Sequence, residues 1–113
     1  MELPYLDRAQ IAPAKVRDYL LNPEHPVGRA KARFFTSLGF TRAGWATLHA
    51  ALMAHATVSE AQARPSSAFG QQYLVRGSIL GPNGTSAVVV AVWMLAYVET
   101  GPRFVTAYPE KSP

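Results

Sequence analysis

Gln71-Gln-Tyr-Leu-Val-Arg-Gly-Ser-Ile-Leu80, Gly81-Pro82-Asn83-Gly84 and Ser86-Ala-Val-Val-Val-Ala-Val-Trp-Met-Leu-Ala-Tyr-Val-Glu99 are two β-rich runs around a breaker. In the first run, Tyr73, Val75 and Ile79 alternate with Leu74, Arg76 and Ser78, the period of a strand with two unlike faces. Gly81 to Gly84 is a turn signal, and because no helical pattern follows it, it is not a phosphate loop. The second run is apolar on both faces, so it should lie centrally and be covered at least partly on each side. Thr100-Gly101-Pro102 turns the chain into a third strand, Arg103 to Tyr108, stopped by Pro109. These strands form a β-meander over 71–109, preceded by a connection over 58–70 and followed by a polar tail, 110–113.

Upstream the pattern is helical. A lead-in arm, 1–12, precedes a short helix from Pro13 to Leu21, with Val16, Tyr19 and Leu20 as its buried stripe. Asn22-Pro23 ends it, because a residue before proline avoids helical backbone. A second helix starts near Val27 or Gly28 and runs to Leu38, with Ala30, Phe34 and Leu38 on one face and Phe35 beside them. Gly39 suits a left-handed C-terminal position, and Phe40 the apolar contact that follows it. Thr41 is the expected N-cap of a third helix, Arg42 to about Thr57, with Trp45, Leu48, Leu52 and Met53 inward. The helical part, 13–57, thus precedes the sheet. The expected fold is a single α+β domain over 1–113, with about three N-terminal helices packed on one face of a three- to four-stranded antiparallel β-meander.

Composition narrows the function. The 113 residues are 49% hydrophobic and 16% charged, with a net charge of +4. That suits one folded core, a neutral or apolar surface that favours a protein partner or a homo-oligomer, and a polyanion such as RNA as ligand. There is no cysteine, which excludes disulfides, thiol catalysis and zinc ribbons. His25, His49 and His55 have no metal-ligand spacing with any acid, so neither a metal nor another cofactor is expected. Ser66-Ser67 lacks the context of a hydrolase triad. Neither a signal peptide nor a membrane span is visible, the longest apolar run being twelve residues, Ala87 to Val98, and the expected location is cytoplasmic.

The chemistry-bearing residues fall in three places. No acid lies between Glu24 and Glu60, whereas His25, Arg29, Lys31, Arg33 and Arg42 do. A histidine titrates near neutrality and can act as a base; the cations can grip phosphate. A helix N-terminus repels Arg29 unless a carboxylate such as Glu24 answers it. Arg76, amid apolar neighbours, can face a substrate or pair with Glu99. On the last strand, Phe104, Thr106 and Tyr108 alternate on one face; a tyrosine can donate a proton and a threonine can orient a phosphate. Trp93 and Tyr97 share a face of the long strand and suit base stacking or, more simply, the core. Each of these groups has a plainer reading as a solvated face, turn or packing residue.

Three stretches resemble the small bacterial DUF6883 family: Tyr19-Leu20-Leu21-Asn22-Pro23-Glu24-His25-Pro26, Gly28-Arg29-x-Lys31-Ala32, and Arg103-Phe104-Val105-Thr106-Ala107-Tyr108-Pro109. The likeness extends over roughly residues 3 to 109. Members of that family are uncharacterised, and similar modules occur in toxin-like and toxin–antitoxin-like settings. The helices-then-sheet order and terminal strand are also similar to the barnase/EndoU/colicin/RelE group of ribonuclease toxins. That resemblance implies a metal-independent endoribonuclease of a toxin–antitoxin or polymorphic-toxin system, neutralised by an acidic antitoxin or immunity protein. Its site would hold His25, Lys31, Thr106 and Tyr108 as catalytic groups, with Arg29, Arg33, Arg76, Arg103 and Trp93 binding substrate. No second histidine lies near the sheet end to pair with His25, which departs from a two-histidine mechanism. The alternative is a non-catalytic interaction module: the binding half of a two-gene pair, or a homo-oligomer.

Overall fold

In the computed structural model, which describes residues 1–110, four antiparallel strands lie in the order β1-β2-β3-β4: Glu60–Ala63, Gly70–Leu80, Ser86–Ala96 and Arg103–Pro109. Three helical segments precede them: α1 (Pro13–Lys15), which widens into a π-helical turn over Val16–Leu20; α2 (Arg29–Ser37); and α3 (Trp45–Val58). The α+β class and the helices-before-meander order are as the sequence predicts.

One face of the sheet carries the core. Val75, Val89, Ala91, Trp93, Phe104 and Ala107 are buried there against Val16, Leu20, Phe35, Leu48 and Leu52 from the helical layer. α3 lies over β2, whereas α2 reaches the β4 edge. The alternation in β2 is as expected, with Tyr73, Val75 and Ile79 inward.

Four details differ from the sequence reading. β1 lies inside the expected 58–70 connection. Glu-Ala-Gln-Ala has little strand propensity; it is a strand because it pairs with Tyr73–Arg76 and because the Ala61 N–H donates to the Met1 carbonyl. α2 buries Ala32 and Phe35 and leaves Ala30 exposed, so its inward face is rotated from the Ala30–Phe34–Leu38 line. α3 starts at Trp45, because Arg42, Ala43 and Gly44 form a turn in which the Thr41 hydroxyl accepts from the Gly44 N–H at 3.0 Å. The fourth difference concerns Phe104. A bulge against Val92/Trp93 inserts one residue, Val105, and reverses the side-chain alternation. Phe104 therefore packs on Trp93 in the core, ring centroids 5.6 Å apart, while Thr106 and Tyr108 share the opposite, outer face.

The end of α2 is as anticipated. Gly39 has φ +99°, the Gly39 N–H donates to Thr36 and the Phe40 N–H to Phe35, the paired bonds of a Schellman motif. The turn at residues 81–84 then packs on this helix end. Asn83 donates its backbone N–H to the Leu38 carbonyl and its side-chain amide to Ser37, so the predicted turn satisfies free helix carbonyls.

Candidate functional site

The register of the sheet places three groups in one row on the outer face: Arg76 on β2, Val90 on β3 and Tyr108 on β4. Val90 is 8% exposed and forms the floor between two open grooves. The first, of about 530 Å³, runs between the start of α2 and β4, with Lys31 on one wall and Tyr108 and Glu110 on the other. The second, of about 340 Å³, holds Arg76 and shares Tyr108 and Glu110 with the first.

Arg76 pairs with Glu110 through two hydrogen bonds, not with Glu99. The Arg76 guanidinium holds the Glu110 carboxyl below its ordinary range. Glu110 thus stays an anion between Lys31 and Arg76, a feature that the sequence alone did not single out because it lies past the last strand.

Beside the first groove stands Tyr19, which the sequence marked only as a buried apolar contact. Its hydroxyl is 3.0 Å from the Thr106 hydroxyl. Its ring meets the His25 imidazole edge-on, centroids 5.1 Å apart, and the Lys31 and Lys15 ammonium groups at 5.6 and 5.5 Å. Tyr19 is therefore the hub that joins His25, Lys31 and Thr106, and through Lys31 it adjoins the groove with Tyr108. Its signal in sequence was the hydroxyl on an otherwise apolar helical stripe.

His25 also holds the start of α2. Its Nδ1 accepts from the backbone N–H groups of Val27 and Gly28 at 3.1 and 3.0 Å, and its carbonyl accepts from Arg29. With Nδ1 so committed, the neutral ring carries its proton on Nε2 and offers a donor there. This geometry makes His25 a capping and positioning group, not the base anticipated from sequence.

The remaining candidates lie elsewhere. Arg29 and Arg33 flank a separate hollow with Pro23 and Thr36, away from Lys31, and no ion pair joins Arg29 to Glu24 among the described residues. Arg103 pairs with Glu99 beyond the groove. Trp93 is fully buried, so it fills the core and cannot stack on a base. Tyr97 follows the end of β3 and is exposed. Of the other histidines, His49 contacts the Ile11 carbonyl at 2.9 Å and His55 lies in the core. Among the described residues no cluster of His, Cys, Asp or Glu could hold a metal ion, and no helix is long and apolar enough to cross a membrane.

The family model "Domain of unknown function (DUF6883)" matches residues 2–111. The chain belongs to the DUF6883 family. No curated protein matches this DUF6883 chain. Among solved structures it is similar to a chain of a "Contact-dependent growth inhibition toxin - immunity protein complex from Klebsiella pneumoniae 342". The TM-score is 0.70 at 16% identity, with 95% of this chain and 97% of that chain covered. At that identity the likeness is one of fold.

Proposed function

We propose that this DUF6883 domain is a metal-independent ribonuclease toxin whose site is the groove between α2 and β4. The observation that carries this reading is the meeting of Lys31, Tyr108 and Glu110 in one groove, next to the Tyr19–Thr106 hydroxyl pair. The fold it shares with a chain of a toxin–immunity complex is consistent with that role.

The residues divide the work by their chemistry. Lys31 meets the phosphate and offsets the charge that develops on it. Glu110, an acceptor only, takes the proton of the 2′ hydroxyl as that oxygen attacks phosphorus. The bond from phosphorus to the 5′ oxygen breaks, and the leaving oxygen receives the phenolic proton of Tyr108. The products are a 2′,3′-cyclic phosphate and a 5′ hydroxyl. Thr106 orients the phosphate, and Arg76 fixes the Glu110 carboxylate. The expected partner is an inhibitor with an acidic surface, complementary to the +4 chain.

Expression of the domain alone should arrest growth, and purified protein should cut RNA in the presence of a chelator. Glu110→Gln and Tyr108→Phe should each lower the cleavage rate by about 10²–10⁴-fold with unchanged melting. Harmless expression of the folded wild-type domain, with no RNA cut, would discard the toxin reading.

The second reading is a non-catalytic binding module. Phe69, Tyr97 and Val98 favour it, because these exposed side chains cluster at the far end of the β2–β3 ladder, where the Tyr97 N–H donates to the Phe69 carbonyl. It predicts a stable complex with a partner protein and no effect of Glu110→Gln on growth.

A further inference from the structure

Lys15 and Lys31 come from different helical segments, yet both ammonium groups rest against the ring of Tyr19. Neither has a carboxylate partner among the described residues. An aromatic ring supplies an ammonium group with less than a carboxylate partner would, so both charges remain open to an anion. The acid nearest Lys15 in sequence, Asp18, is occupied by Arg17 and Arg42. The imidazole of His25 adds a third donor at the same ring, its free Nε2, because Nδ1 is taken by the α2 backbone. The Tyr19 and Thr106 hydroxyls stand at the ring's far end. This sets donors and cations around one ring, and Glu110, across the groove from Lys31, is committed to Arg76.

We propose that Lys15 and Lys31, gathered on the Tyr19 ring, bind a backbone phosphate of single-stranded RNA next to the phosphate held in the α2–β4 groove. The identity of the ligand rests on the ribonuclease reading, but the subsite does not depend on cleavage. Lys31 lines the groove and touches Tyr19, so it lies between the two phosphates. Lys15 belongs to the second phosphate alone. A flexible single strand can follow such a path, whereas a stiff duplex presents its phosphates at fixed spacing.

The test uses a single-stranded 2′-O-methyl RNA oligonucleotide, which lacks the attacking hydroxyl and so stays intact. Binding to the wild-type chain should weaken with salt. Lys15→Gln, which keeps the stem and loses the charge, should reduce the slope of log affinity against log salt by about 0.7, the value for one phosphate contact on a single strand. Lys15→Arg should restore it. Equal slopes and affinities for wild type and Lys15→Gln would overturn the subsite, as would absence of binding by the folded wild type. Salt-dependent binding that is lost in Lys15→Gln, with no cleavage of unmodified RNA, would discard the ribonuclease reading and leave the subsite in place. Cleavage of unmodified RNA with an unaltered Lys15→Gln slope would do the reverse.

Discussion

Gly28 is packed so closely on Tyr19 that a Cβ there would overlap the Tyr19 carbonyl oxygen. Its value is therefore steric: it lets the start of α2 approach the segment that holds the site's hub. Gly28→Ala should cost about 1–3 kcal/mol and shift Tyr19, measured by denaturant unfolding together with loss of RNA cleavage. His55 poses a different problem. It is 2% exposed, and its Nε2 reaches the Gly77 and Val89 carbonyls at 3.1 and 3.0 Å, while Nδ1 has no partner. Burial lowers its pKa from 6.5, against the smaller opposing effect of the two carbonyls. The unfolded chain then binds the proton more readily than the folded one. The His55 contribution is complete above about pH 6.5 and is lost as pH falls below it. Stability measured from pH 8 to 5 should decline over that window, and His55→Gln, an N–H donor that does not titrate, should flatten the decline.

At the scale of elements, the junction between α2 and the β2–β3 turn is a mutual cap. Gly39 sits at φ +99°, and a Cβ there would also crowd Asn83. Gly39→Ala should cost about 1–2 kcal/mol from the backbone alone, and thermal melting should fall by several degrees. Asn83→Ala removes the amide bond to Ser37 and should cost about 1 kcal/mol. The sequence carried this junction well, because glycine and asparagine punctuate the chain for local reasons. It carried β1 poorly, because Glu60–Ala63 has no period-two apolar pattern and becomes a strand only by adding to β2. The bulge in β4 was equally silent. Arg103 to Tyr108 reads as simple alternation, and one extra residue between Phe104 and Thr106 reverses which side chains share a face.

For the whole molecule, the Arg76–Glu110 pair ties β2 to the chain just past β4 across the central strand. Its partners are exposed, so it contributes little to stability. Its consequence is for the carboxylate, which Arg76 keeps ionised below its ordinary 4.5. In the proposed mechanism the acidic limb of the pH–rate profile should lie below 4.5 in the wild type. Arg76→Ala should move that limb up towards 4.5, and an unmoved limb would remove Glu110 from the role of base.

Local chemistry in the chain was enough to specify the α+β class, the helices-then-meander order, the turn at residues 81–84 and the Gly39 helix end. Each depends on neighbours a few residues apart or on simple periodicity. Long-range packing alone decided the rest. It sent Trp93 into the core, turned Arg29 and Arg33 away from Lys31, gave Nδ1 of His25 to the α2 backbone, and gathered Lys15, Lys31 and Thr106 around Tyr19. Such contacts join residues as far apart as Tyr19 and Thr106, and no period in the sequence encodes which side chains meet when the β4 edge closes on the helical layer.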